Sequence, residues 1–167
     1  MKRFFEIISK EQFDKDFKDF NCNYEDIILP KRSTNKSMGY DFFLPIDIEF
    51  KSKEIIKIPT GIKVSMYDDE FLGIYDRSST GFKYNIRMCN QVGLIDADYY
   101  NNNDNEGHIW IALQNHSDND YYFKKGDKLV QGVFQKYLIV ENEEQIKNIR
   151  NGGLGSTDRK DDNNEKR

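Results

Sequence analysis

Cysteine, histidine and proline are scarce in this chain, with 2, 2 and 3 copies in 167 residues, and each shortage excludes a class of protein. Cys22 and Cys89 lie far apart with no CxxC or Cys/His spacing near either, so they read as reduced structural thiols, not a disulfide frame or a zinc site. His108 and His116 flank an expected strand and read as structural histidines, which leaves no His-rich metal site. A strong charge of one sign is missing too. Lys and Arg number 25 against 29 Asp and Glu, a formal net charge of −4, which argues against a partner held mainly by the phosphate backbone of nucleic acid. No apolar run approaches a membrane span. In the basic N-terminal stretch Glu6 and Lys10 break the run before a signal-peptide core is complete, so the expected setting is cytoplasmic. A serine hydrolase lacks its GxSxG elbow.

What the chain does have is aromatic bulk. Its 12 Phe and 10 Tyr can bury enough area for a core despite a mean hydropathy of −0.82. The length bounds the answer to one domain with a tail. Ser9 to Gln12 has the form of a capping box, and Phe13, Phe17 and Phe20 follow at helical spacing, which predicts one short amphipathic helix. From Ile46 onward the period changes to two. Ile46–Phe50, Ile56–Val64, Phe71–Tyr75, His108–Leu113, Tyr121–Phe123 and Leu129–Val140 read as strands separated by polar turns, the pattern of an all-β sandwich or barrel. An Asn-rich loop, Tyr99 to Gly107, separates two of them. After Val140 the periodicity fades into a glycine-rich stretch, Asn151 to Thr157, and a charged tail, together expected to form a mobile arm.

Three strings could carry chemistry. In Leu94-Ile95-Asp96-Ala97-Asp98-Tyr99 two acids two apart on extended chain point the same way behind an apolar run, and either one acts as a general base or both begin a solvated loop. Arg77-Ser78-Ser79-Thr80-Gly81 holds a guanidinium, hydroxyls and a glycine, which suits either a phosphate cradle or a polar turn capping a helix. Gly152-Gly153-Leu154-Gly155-Ser156-Thr157, preceded by Arg150, is a second cradle or a linker. It is neither a Walker nor a Rossmann motif.

Taken in order, these strings resemble the five motifs of the trimeric dUTPase family, over about Gly39 to Thr157. Gly39-Tyr40-Asp41-Phe42 is similar to the first motif, Arg77-Ser78-Ser79 to the second and Asn90 to Tyr99 to the third. Lys125 to Gln131 resembles the fourth, and Arg150 to Thr157 the fifth. The resemblance implies a jelly-roll-like β-barrel over 31–145, an N-terminal extension with the short helix over 1–30 packed on the same domain, and a flexible arm and tail over 146–167. It also implies a homotrimer with shared active sites, hydrolysing dUTP to dUMP and pyrophosphate, with no nucleic-acid or membrane partner.

By the same resemblance Asn90, Gly93, Leu94 and Ile95 pair with uracil, Tyr99 stacks under the deoxyribose, and Leu154 covers the base. Asp96 deprotonates the attacking water. Arg77, Ser78, Ser79, Gln131, Arg150, Gly155, Ser156 and Thr157 bind phosphates, and Asp41 supports them from behind. Mg²⁺ is implied as cofactor, held by the phosphates and water with no direct protein ligand. The chain departs from the family pattern at three places. Leu154 stands where the family has Phe, which implies a weaker base lid. Asp76 replaces the proline before Arg77, where it pairs with Arg77 or faces away. The Asn-rich segment interrupts the third motif. Two rival readings are a dUTPase-fold binding or regulatory module without efficient turnover, and a dCTP deaminase, whose hallmark acid and arginine motifs are not found.

Overall fold

In a computed structural model the chain is described over residues 2–144 and at Gly152. The expectations on Arg150, Leu154, Gly155, Ser156 and Thr157 lie outside those residues. The body is built from short antiparallel strands. The largest sheet has four: β2 (Tyr40–Asp41), β11 (Val130–Lys136), β6 (Glu70–Asp76) and β8 (Gly93–Asp96), in that spatial order. A three-stranded sheet runs β4 (Ile55–Pro59), β9 (Trp110–Asn115), β7 (Ile86–Met88). Two pairs complete it, β1 (Phe4–Ile7) with β5 (Ile62–Ser65) and β3 (Ile48–Phe50) with β10 (Tyr121–Phe123). Every pairing joins strands separated by other elements in sequence, so the sheets are held together by crossovers, as in a jelly-roll-like fold.

The alternation read from the sequence explains which faces are dry. Ile48, Phe50, Ile58, Leu72, Ile74, Ile111 and Leu113 recur at period two and are buried together. Leu72, Phe50 and Leu113 are fully buried, so each adds its whole side-chain transfer energy, about 2 to 3 kcal/mol. β4 and β5 do not pair with each other. The chain turns between sheets at Thr60-Gly61, where Gly61 takes a φ of 74°, and a Cβ there would lie 2.8 Å from Ile27.

Residues 10–16 form the expected helix, α1 (Lys10–Asp16), with Ser9 Oγ accepting from the Gln12 N–H at 3.1 Å. Only half of the capping box forms. The Gln12 amide donates forward to Asp16 at 2.7 Å, and the Ser9 N–H donates to Glu106 at 3.0 Å. Phe13 and Phe17 stack at 4.3 Å between centroids and close the core from this side.

Three expectations are corrected. A second helix, α2 (Ser78–Tyr84), follows β6, so the chain has more than one short helix. The Asp96–Asp98 segment is not extended throughout, because β8 ends at Asp96 and a 3-10 turn over Ala97–Tyr99 rotates Asp98 away from the strand repeat. The last strand stops at Lys136 instead of Val140. Residues 137–140 have no strand partner among the described residues, and Leu138 is 98 % exposed.

Candidate active site

The site is built from the two ends of one strand, β6. At its C-terminal end the chain passes from Asp76 to Arg77, the N-cap of α2. No side chain caps this helix, so the hydroxyls of Ser78 and Ser79 are not spent on capping and line a cleft. Two bonds fix the turn to the segment before β11: the Arg77 N–H donates to the Leu129 carbonyl at 3.0 Å, and Thr80 Oγ1 donates to the same oxygen at 2.7 Å.

That cleft holds about 290 Å³ and brings together Asp41, Arg77, Ser78, Ser79 and Gln131. Asp41 is its buried anchor. Its carboxylate accepts from Arg77 Nε at 2.8 Å, Lys128 Nζ at 3.1 Å and Ser33 Oγ at 2.6 Å. Burial pushes this carboxyl up, but the bonds from Ser33 and Lys128 and the charges of Arg77 and Lys128 outweigh it, leaving Asp41 below the ordinary aspartate range. Gln131 leans over Gly39, where a Cβ would stand 2.1 Å from its Oε1, and Gln131 Nε2 donates to the Asp76 carbonyl at 3.3 Å. A side chain at 39 would push the Gln131 amide out of this position. Asp76 itself faces away: its carboxylate accepts from the Met88 N–H of β7 at 3.0 Å, and burial raises it above the ordinary range.

Asp96 sits at the other end of β6, opposite Phe71. It is exposed and borders a second cleft of about 600 Å³, shared with Asp68, Asp98 and Tyr100. β8 is a terminal strand of its sheet. A terminal strand turns one row of backbone N–H and C=O groups outward, and Gly93, Leu94 and Ile95 lie on it behind Asn90. Tyr99, just beyond, donates its hydroxyl to the His108 carbonyl at 3.1 Å.

Residues directly opposite on paired strands share a face. Asp41, Gln131 and Tyr75 therefore project from the same side of the sheet as Leu94, Asp96 and Phe71. From Phe71 to Asp76 is five residues of extended chain, about 17 Å at strand rise. The expected phosphate donors thus gather at the Asp76 end of the strand and the expected general base Asp96 stands at the other, with Gly93 to Ile95 between them, opposite Ile74 to Leu72.

Residues 25–158 match the dUTPase family. The chain belongs to that family. A deoxyuridine 5'-triphosphate nucleotidohydrolase of Lactococcus lactis is 42 % identical over 156 residues, 93 % of this chain and 97 % of that protein. Among solved structures, the dUTPase from Streptococcus mutans is 37 % identical with a TM-score of 0.67, covering 83 % of this chain and 98 % of that one. At 18 % identity, a point mutant of the dUTPase from phage phi11 of S. aureus, in which a structural Mg(II) ion is coordinated, shares the fold with a TM-score of 0.65, over 89 % of this chain and 98 % of that one.

Sequence reasoning missed the roles of Ser33 and Lys128. Ser33 lies outside the five motif strings and reaches Asp41 through the Lys31–Asp41 bridge, while Lys128 lies inside the fourth with no task of its own and reaches it through the pairing of β2 with β11. No helix among the described residues is long and apolar enough to cross a membrane.

Proposed function

We propose that this protein hydrolyses dUTP to dUMP and pyrophosphate, in an active site completed by a second copy of the chain. Membership of the dUTPase family supports the reaction. The separation of the two groups along β6, about 17 Å, carries the second part. One triphosphate cannot touch Asp96 and the Arg77 cleft of the same chain while its base lies in the β8 slot. A head-to-tail contact that sets the Arg77 end of one copy against the Asp96 end of the next closes into a ring, and the family resemblance makes that ring a trimer. The exposed Leu138, Ile139 and Val140 offer apolar area for such a contact. The 1–30 extension and the 146–167 arm keep the roles given above, with Arg150, Leu154, Gly155, Ser156 and Thr157 closing over the substrate.

Within the site, outward backbone groups of Gly93 to Ile95 match the alternating donor and acceptor edge of uracil, with Asn90 at the slot's mouth. Cytosine presents an amino donor where that edge needs an acceptor. The Tyr99 ring lies under the deoxyribose. Asp96 orients and deprotonates a water for in-line attack on the α-phosphate, and Arg77, Ser78, Ser79 and Gln131 neutralise the departing pyrophosphate. Asp41 keeps the Arg77 guanidinium aimed.

The donor set suits Mg²⁺ carried by the substrate. The cleft offers N–H and O–H groups that fit phosphate oxygens, and the oxygens of Asp41 are engaged with Arg77, Lys128 and Ser33. Bound to the phosphates, Mg²⁺ would spread and neutralise their charge.

Pyrophosphate release measured with dUTP, dCTP, dTTP and UTP in parallel tests the reading. Rapid release from dUTP alone is expected. Silence with all four in folded protein would replace it with the binding-module alternative.

A further inference from the structure

Tyr99 is held by a network whose hydrogen-bond directions are fixed. The His108 carbonyl can only accept, so the Tyr99 hydroxyl donates to it at 3.1 Å and must accept the 2.7 Å bond from Asn105 Nδ2. The Asn105 amide cannot be flipped, because its Oδ1 accepts from the Gly107 N–H at 3.1 Å and from Asn102 Nδ2 at 2.8 Å. Asn102 is buried and fixed in the same way. Its Oδ1 accepts the N–H groups of Asp104 and Asn105, and its Nδ2 also donates to the Tyr99 carbonyl at 2.8 Å. Gly107 closes the loop against the same residue, since a Cβ there would lie 2.5 Å from the Tyr99 carbonyl oxygen. The Asn-rich segment therefore grips Tyr99 at both its backbone and its hydroxyl.

The segment is in turn clamped to α1. The Ser9 N–H and hydroxyl both donate to the Glu106 carboxylate, which also pairs with Lys63 at 3.1 Å. At the other end of α1, Asp16 meets fully buried His108. His108 Nε2 accepts from the Gly61 N–H at 2.8 Å, so its proton sits on Nδ1 and is donated to Asp16 at 2.6 Å. The family match begins at residue 25, so β1 and α1 lie outside it.

We infer that the 101–107 segment, clamped to α1, is the element that sets the tilt of the Tyr99 ring and with it the discrimination between deoxyribose and ribose, with Asn105 as the positioning residue. The inference rests on the proposed seat of Tyr99 under the sugar. A ring that excludes one hydroxyl must be held to a fraction of an ångström. The phenol's donated bond to the His108 carbonyl fixes one direction at the hydroxyl, and the bond from Asn105 fixes a second. A low-complexity asparagine stretch thereby becomes a specificity element.

The substitution Asn105→Asp tests this, because it keeps both acceptor bonds of Oδ1 and puts an acceptor where the donor to Tyr99 stood, so the single phenol proton can serve the His108 carbonyl or residue 105 but not both, and one of the two tethers is lost. The ratio of kcat/KM for dUTP to kcat/KM for UTP should fall about tenfold, the scale of one lost hydrogen bond to a buried partner, with kcat on dUTP changed less than about twofold. Tyr99→Phe, which removes the hydroxyl and with it both the bond from Asn105 and the one to the His108 carbonyl, should lower the ratio at least as much. In that background Asn105→Asp should change it less than about twofold further, since both act through one hydroxyl. An unchanged ratio in either single variant, or equal losses on both substrates, would overturn the inference while leaving dUTP hydrolysis standing. Parent protein that fails to prefer dUTP over UTP would remove the sugar seat itself, and the inference with it.

Discussion

Replacing Asp41 by Asn keeps the shape of the anchor beneath the cleft and removes its charge. Three donors converge on this carboxylate, from Arg77, Lys128 and Ser33, and its side chain is 7 % exposed. Hydrogen bonds to a charged partner contribute about 1.5 to 3 kcal/mol each when fully buried. Arg77 and Lys128 remain 29 % and 31 % exposed, so water screens and partly replaces both bonds. The asparagine oxygen can keep one donor, while its amide group then faces another donor. The net loss is expected at about 2 kcal/mol, which for a chain of this size lowers Tm by about 4 to 8 °C. The sign of the pH dependence follows from the depressed titration of Asp41. Its contribution is complete above the ordinary aspartate value of about 3.9 and is lost as pH falls through the lower folded value, so parent and variant should converge only in strong acid. Because Arg77 loses its aim, KM for dUTP should rise about tenfold. Thermal melts across a range from about pH 3 to about pH 8 and steady-state kinetics read both effects. A variant that melts within about 1 °C of the parent at neutral pH and keeps its KM would refute the assignment of Asp41 as anchor.

Asp96→Asn should cut turnover by about a hundredfold or more while affinity for a non-hydrolysable dUTP analogue, read by calorimetry, stays nearly constant; an equal loss of binding would make Asp96 structural. Leu72→Ala empties a fully buried position under β6 and should cost about 3 kcal/mol in denaturant melts, and a loss below about 1 kcal/mol would mean the core there is not packed as described. Asp76→Asn keeps an acceptor for the Met88 N–H and removes a charge that burial disfavours, so Tm at neutral pH should hold or rise and kcat/KM should not change. The advantage should shrink as the pH is lowered and Asp76 protonates, and a loss of activity would place its carboxylate in the phosphate cleft after all.

The binary pattern by itself determined much of this protein. Period-two runs such as Ile48 and Phe50 or Tyr121 to Phe123 became strands because alternation leaves one dry face whatever the partner. The Ser9 cap and the Phe13 and Phe17 stripe made α1 because capping and helical spacing are local. The motif strings likewise named the chemistry, since residue type and order survive without coordinates. What the tertiary structure decided depends on pairing across long separations. Register puts Gln131 opposite Tyr75 and Asp96 opposite Phe71, and so sends the two halves of the site to opposite ends of one strand. Lys128 reaches Asp41 only after β2 has found β11, Ser33 only after Lys31 has bridged to Asp41, and Asp76 turns to β7 because the Met88 N–H is there to donate to it. The stretch 137–140 carries a strand pattern with no strand to pair with inside the described chain, and the Asn-rich loop is ordered by Tyr99 and α1. Composition fixes which side chains want burial or a bond; only the folded sheets fix which of them meet.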